Sequence, residues 1–220
     1  MARRKLGVLI SGRGSNLQAL IEAARAADYP AEIAIVISNV EGAAGLLRAA
    51  EAGVPAVTID HRRFGKGPDG KRRFEDALQS ALEDAGVEIV CLAGFMRLLS
   101  AAFVNRWHGR LVNIHPSLLP AFKGLDVHAG MLAAGVKIAG CTVHYVSAEM
   151  DAGPIIGQAA VPVLADDTPD TLAARILAAE HKLYPECVRR VALGKAPIGS
   201  GGVVAPSADG GGVLFNPPPR

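Results

Sequence analysis

The sequence predicts a doubly wound α/β fold, a Rossmann-like, mainly parallel mixed sheet in a single domain. Three observations predict it. Short apolar runs alternate with helix-spaced segments along the first half of the chain, a pattern that right-handed crossovers build into a parallel sheet. Val87-Glu-Ile-Val-Cys-Leu-Ala93 is an apolar run of the kind that forms a central strand covered on both faces. Leu6 to Ile10 leads straight into Ser11-Gly-Arg-Gly-Ser-Asn16 and then into helical spacing, the strand, glycine turn and helix that aim backbone N–H groups at an anion.

The elements follow in order. Leu17, Leu20, Ile21 and Ala24 recur at helical spacing, so a helix begins near Asn16. Ile33 to Ser38 reads as the second strand, Gly45 to Ala52 as a helix and Val54 to Ile59 as the third strand. His61 to Gly70 is basic and rich in Gly and Pro, which fits a mobile surface loop or a segment that closes over substrate. Lys71 to Ala85 is an amphipathic helix, and Leu111-Val-Asn-Ile-His115 is a strand stopped by a turn between Pro116 and Pro120. After a turn at residues 121–124 comes a helix from Asp126 to Ala134. Ile138 to Val146 and Pro154 to Val163 are joined tightly enough for an antiparallel pair, which makes the sheet mixed. Thr168 and Pro169 open a last helix carrying Leu172, Ile176, Leu177 and Leu183 inward. Beyond Gly194 the chain turns to Gly and Pro, so residues 1–194 form the functional domain and 195–220 a tail.

Composition narrows the function. Half of the 220 residues are apolar and a fifth are charged, as in a soluble globular protein with a sizeable core. A net charge of +2 argues for neither nucleic acid nor an anionic membrane. Arg3, Arg4 and Lys5 are followed by no signal-peptide core, and no run approaches the ~20 apolar residues that span a bilayer, so a cytoplasmic protein is expected. Cys91, Cys141 and Cys187 are scattered and odd in number, and the six histidines lack a paired zinc spacing. Neither disulfides nor a metal is expected.

Asn113 and His115 stand two apart on an extended strand, so both side chains leave the same face. A carboxamide beside an imidazole suits acyl transfer: the amide can hold the oxygen of a tetrahedral intermediate while the ring manages a proton. An Asn-x-His strand end also fits an ordinary turn. Downstream, Cys141-Thr-Val-His144 offers another imidazole, suited to a cross-strand polar contact or to proton transfer. Asp151, beside the Gly153-Pro154 turn, offers a carboxylate able to orient His115. The turn at Gly14-Ser15-Asn16 suits a phosphate, but Leu17 occupies the third glycine position of the dinucleotide fingerprint and the second strand ends in Asn39 rather than an acid. The Gly-Lys-Ser/Thr of a P-loop is absent too.

The run His115-Pro-Ser-Leu-Leu-Pro-Ala-Phe-Lys-Gly124 and the segment Asp151-Ala-Gly-Pro-Ile-Ile-Gly-Gln158 closely resemble the formyltransferase family that uses 10-formyltetrahydrofolate. The resemblance runs from about Leu6 to about Arg190 and is strongest to members acting on glycinamide ribonucleotide in purine synthesis. It implies direct formyl transfer from that folate co-substrate to the ribonucleotide amine, with Asn113, His115 and Asp151 catalytic. It gives Gly14, Ser15 and Asn16 to the substrate phosphate and Glu180 to the ribonucleotide, although a Glu on that helix equally suits solvent. Met96, Arg97, Leu98 and Leu99 would line the pterin pocket, although Arg97 also fits a solvated charge and the leucines ordinary core. Lys71 is the cation expected to approach the folate, with Arg72 and Arg73 competing for the role. A homodimer, and a terminal hairpin of which Val213-Leu-Phe215 is a remnant, are implied on the same ground. Two kinds of rival remain. A formyltetrahydrofolate deformylase shares the catalytic core but carries a domain ahead of it, and a methionyl-tRNA formyltransferase carries a basic domain behind it. A nucleotide-binding regulatory module would have lost the site.

Overall fold

The computed structural model describes residues 2–205. Its strands are β1 (Arg4–Ile10), β2 (Ala31–Ser38), β3 (Ala56–Thr58), β4 (Ile89–Leu92), β5 (Leu111–His115), β6 (Ile138–Tyr145) and β7 (Ile155–Pro162). Its helices are α1 (Ser15–Ala24), α2 (Ala44–Glu51), α3 (Gly67–Asp84), α4 (Ala101–Arg106), α5 (Val127–Ala133) and α6 (Pro169–Ala192). The strands form one sheet in the order β3-β2-β1-β4-β5-β6-β7. β1 to β5 run parallel, while β6 and β7 pair antiparallel, so the expected mixed, mainly parallel sheet is present.

Alternation along the central strands divides the core into two layers. Leu6, Val8 and Ile10 face one way with Cys91, Val112 and Ile114, and α1 and α6 cover them. Leu9, Ile37, Val90, Leu92 and Leu111 face the other way under α3 and α4. Because side chains alternate between faces, a strand buried on both sides must be apolar throughout. β4 is buried at every residue.

Several boundaries differ from the sequence expectation, each for a visible reason. β1 starts two residues early, because Arg4 pairs with Ala31 in the ladder and its N–H reaches the Pro30 carbonyl at 2.8 Å. β3 is reduced to three exposed residues, as suits an edge strand with a single neighbour. The 61–70 segment is largely regular secondary structure. His61–Phe64 is a 3-10 turn capped by the Asp60 carboxylate, and α3 begins at Gly67 with Pro68 in its first turn. Phe64 meets Phe74 edge to face, which folds this turn back onto α3. α4, only six residues long and capped by the Ser100 hydroxyl, is too short for hydrophobic periodicity to announce. On α6 the buried stripe is Leu172, Ile176, Glu180, Tyr184, Cys187 and Val188, whereas Leu177 and Leu183 are only partly covered. An i, i+4 stripe explains that choice.

The chain stays attached to the core past Gly194. Ala196 is buried, its carbonyl accepts the Tyr145 hydroxyl at 2.8 Å, and Ile198 and Val204 pair across a short bridge while packing on the larger core layer. The expected Val213–Phe215 hairpin remnant lies outside the described residues.

Candidate active site

Strand order reverses at β1. The chain winds outward through β2 and β3, then returns to place β4 on the other side of β1. Open α/β sheets bind ligands at such a point, beyond the carboxyl ends of the strands. Three expected segments lie there: the glycine turn after β1, Gly94 to Leu99 after β4, and the Asn113/His115 end of β5. Hydrogen bonds lace the rim together. Ser11 N–H donates to the Gly94 carbonyl at 3.1 Å, and Met96 N–H donates to Ser11 Oγ at 2.7 Å. Ser11 Oγ in turn reaches Asn39 Oδ1 at 2.5 Å.

Gly14 sits at φ 69°, left-handed, as the residue that turns the chain into α1. A Cβ there would lie 2.6 Å from Gly45 Cα, so both the backbone angle and the close approach of α2 exclude a side chain. Ser15 and Asn16 then occupy the first turn of α1. Asn16 Nδ2 donates to Glu180 Oε2 on α6 at 2.7 Å, and Asn16 Oδ1 is buried with no partner among the described residues. Glu180 therefore faces inward, not toward solvent: it is 5% exposed. Burial raises its pKa above the ordinary carboxylate value, with the Asn16 hydrogen bond opposing.

The polar cluster at the end of β5 is assembled by strand register. Asn113 stands opposite His144 on β6, and Asn113 Nδ2 lies 3.2 Å from His144 Nε2. His144 Nδ1 is 2.9 Å from the Tyr145 carbonyl, an acceptor only, so Nδ1 carries the proton and Nε2 accepts from the amide. Burial lowers the His144 pKa, against the pull of the Tyr145 carbonyl and the Asp151 charge, which keeps the ring neutral. The second amide hydrogen of Asn113 is left for another acceptor. His115 Nε2 donates to the Phe122 carbonyl at 2.9 Å, while its Nδ1 faces Asp151 Oδ2 at 3.5 Å. An imidazolium satisfies both acceptors, whereas a neutral ring can donate to one alone. Asp151 is held by Gly124 N–H at 2.9 Å and also lies 3.8 Å from His144 Nε2. Carboxamide, two imidazoles and one carboxylate thus share a single corner of the rim.

Residues 4–188 match the family model described as formyl transferase. The chain belongs to the formyl transferase family. Phosphoribosylglycinamide formyltransferase of Escherichia coli K12 is 44% identical over 178 residues, covering 81% of this chain and 82% of that protein. The trifunctional purine biosynthetic protein adenosine-3 of Gallus gallus is 48% identical over 200 residues, 91% of this chain. The chain spans about a fifth of the length of that relative. Among solved structures, phosphoribosylglycinamide formyltransferase from Anaplasma phagocytophilum superimposes with a TM-score of 0.85 at 46% identity, covering 95% of this chain and 97% of that one.

Within this formyl transferase fold the segment after β4 is placed on the rim but only partly packed. Met96 and Leu98 are 66% and 68% exposed, so Leu98 is not core, while Leu99 rests partly buried on the second core layer. Leu125 and Met150 are also large, apolar and exposed, and they stand on the two turns that the Gly124–Asp151 bond ties together. Uncovered apolar side chains flanking a polar cluster suit a flat heteroaromatic ligand. Arg97 is exposed. Lys71 and Arg72 line a cavity of about 320 Å³ between α3 and α4, with Glu75, Ser100, Phe103 and Arg106 in its wall. Arg73 turns away and donates to the Phe64 carbonyl at 2.7 Å. Among the described residues no cluster of three His, Cys, Asp or Glu could hold a metal, and no helix is long and apolar enough to cross a membrane.

Sequence reasoning missed the groups that shape the His115 turn. Ser117 Oγ donates to the Ala121 and Phe122 carbonyls at 2.7 and 3.0 Å. Thr142 Oγ1 donates to the Ser117 carbonyl at 2.7 Å and receives Leu119 N–H at 3.0 Å. Gln158, one strand further, donates to the Leu119 carbonyl at 2.9 Å. The alternation of Thr142 and His144 on β6 was a signal, but only the β5–β6 register tells which turn they serve.

Proposed function

We propose that the chain transfers a formyl group from 10-formyltetrahydrofolate to the primary amine of glycinamide ribonucleotide in purine biosynthesis, with residues 1–194 as the catalytic domain. The observation that carries this reading is the convergence of Asn113, His115, His144 and Asp151 at the carboxyl end of β5. The family and the names of its well-covered relatives support the choice of substrates.

The amine nitrogen attacks the formyl carbon, and the carbonyl electrons become an oxyanion. The free N–H of Asn113 donates to that oxygen as a preorganised donor, and a protonated His115 stabilises it through its charge. The bond from the formyl carbon to the folate nitrogen then breaks, and the proton lost by the amine ends on that nitrogen. Asp151 holds the His115 ring and any water that relays the proton. Among the described residues no Ser or Cys side chain is hydrogen-bonded to His115, His144 or Asp151, and the transfer is read as direct. Exposed Met96 and Leu98 form apolar walls for the pterin with Arg97 and Leu99, and Lys71 supplies a cation toward the folate. Gly14, Ser15, Asn16 and Glu180 hold the ribonucleotide. A cytoplasmic location and a homodimer belong to the same reading.

The test is consumption of 10-formyltetrahydrofolate with and without glycinamide ribonucleotide. Amine-dependent loss is expected. Amine-independent loss means that water is the acceptor, as in a deformylase, and no loss under either condition means a binding module.

A further inference from the structure

Three side chains on three different connections form one hydrogen-bonded line across the crevice. Ser11 follows β1, Asn39 follows β2, and His61 opens the 3-10 turn after β3. The direction of each bond is fixed by what its groups can do. Met96 N–H can only donate, so Ser11 Oγ accepts there at 2.7 Å and sends its one hydrogen to Asn39 Oδ1 at 2.5 Å. That contact turns the amide so that Nδ2 faces His61 Nδ1 at 3.2 Å. An amide hydrogen needs a lone pair, so Nδ1 carries no proton here. In the alternative, Nδ1 donates to the Asn39 carbonyl at 3.1 Å and the amide of a residue only 2% exposed loses its acceptor. Asp60 Oδ1, 3.8 Å from that Nδ1, would favour a proton there, but Arg62 already pairs with both Asp60 oxygens. The His61 ring itself rests edge to face on Phe74 of α3, with centroids 6.1 Å apart.

The other end of the line holds the segment after β4. Phe95 and Leu99 pack partly on the second core layer, but Met96, Arg97 and Leu98 between them are exposed. Among the described residues, the bond from Met96 N–H to Ser11 is the one hydrogen bond made by residues 95–99. We propose that Ser11, Asn39 and His61 are positioning residues for the formyl donor, setting where residues 96–98 stand when the pterin packs on them. This rests on the reading of Met96, Arg97, Leu98 and Leu99 as the pterin wall. The line acts through the Met96 backbone, and a wall held in place beforehand spares the ligand the cost of ordering it.

Ser11→Ala cuts the line at its centre, Ser11→Thr keeps the hydroxyl, and His61→Phe removes the acceptor while keeping a ring against Phe74. Binding is read by calorimetry with 5-formyltetrahydrofolate, a stable isomer of the donor with its formyl group on N5. The net contribution of one hydrogen bond predicts about 3- to 10-fold weaker binding in Ser11→Ala, a loss in the same direction in His61→Phe, and near wild-type binding in Ser11→Thr. In kinetics, the KM for 10-formyltetrahydrofolate should rise more in Ser11→Ala than that for glycinamide ribonucleotide. Amide exchange at Met96, followed by NMR without any ligand, should quicken in the same variant. Unchanged exchange or unchanged folate binding in Ser11→Ala overturns the proposal. So do equal KM increases for both substrates, because they mark a general loosening of the rim. Unchanged binding in His61→Phe removes His61 and Asn39 from the line. A wild type that binds no formylfolate overturns the pterin reading instead, and the exchange measurement then decides the tie from Ser11 to Met96 on its own.

Discussion

His144 shows how one buried ring sets the chemistry of its neighbour. Its neutral Nε2 accepts from Asn113, so protonation removes the acceptor and places a charge in a site that is 2% exposed. The ordinary value of 6.5 applies to the unfolded chain, and the folded value is lower. Between the two the unfolded chain binds the extra proton. The stability contributed by the neutral ring is therefore fully present above pH 6.5 and is lost as pH falls through the folded value. Urea unfolding midpoints should drop on acidification below that pH, and His144→Gln should flatten the slope. Burial shifts His128 and His181 the same way, so only part of the slope disappears. An unaltered slope in the variant would show that His144 is not the group titrating. For Asn113 itself, Asn113→Ala should lower kcat by about 10²–10³ with a much smaller change in KM, the pattern of a donor used chiefly in the transition state. Near-normal turnover would remove the amide from the mechanism. Asn113, His115 and Asp151 could be picked out as residue types with matching chemistry, but the tautomer of His144 follows only from its contact with Tyr145.

At the scale of elements, the turn between β6 and β7 holds Asp151 in place. Asp151 adopts a left-handed backbone at φ 50°, and the turn is closed by Tyr145 N–H donating to the Pro154 carbonyl at 2.9 Å. Gly153 permits that closure: a Cβ on it would lie 1.7 Å from the Tyr145 carbonyl oxygen, a backbone atom that cannot rotate aside. Gly153→Ala should cost about 1–3 kcal/mol or more in urea-monitored stability, as forced repacking does. It should also reduce kcat by moving Asp151. Retention of both stability and rate would separate this turn from the site. The Gly-Pro pair announced a turn, but the contact that makes the glycine obligatory comes from a strand residue eight positions earlier. Likewise, the helical pattern of α3 was readable, whereas its early start depends on Asp60 capping the preceding 3-10 turn and on Phe64 returning to Phe74. Neither of these is a periodic signal.

Across the molecule, α6 ties the helical layer to the strands that carry the site. The Tyr184 hydroxyl lies fully buried, 2.9 Å from the Leu92 carbonyl and 3.2 Å from the Val112 carbonyl, so one donor bridges β4 and β5 near the rim that holds the candidate site. Tyr184→Phe should destabilise the fold by about 1–2 kcal/mol in equilibrium unfolding, because it strips a buried donor from two carbonyls. A change within a few tenths of a kcal/mol would mean that the sheet satisfies those oxygens unaided. The alternation of strands and helices, the apolar central strand and the glycine turn are local patterns, and backbone geometry with the burial of apolar surface turns them into a doubly wound sheet whose ligand edge is known in advance. That much was determined by the sequence alone, as was the list of residue types able to do acyl transfer. The tertiary structure decided the partners. Asn113 meets His144 through strand register, Asn16 meets Glu180 across 164 positions, and Arg48 meets the glycine turn through a helix packing on it. Contacts of this kind depend on where separate elements come to rest against one another, and periodicity within one element carries no information about the neighbour it will face.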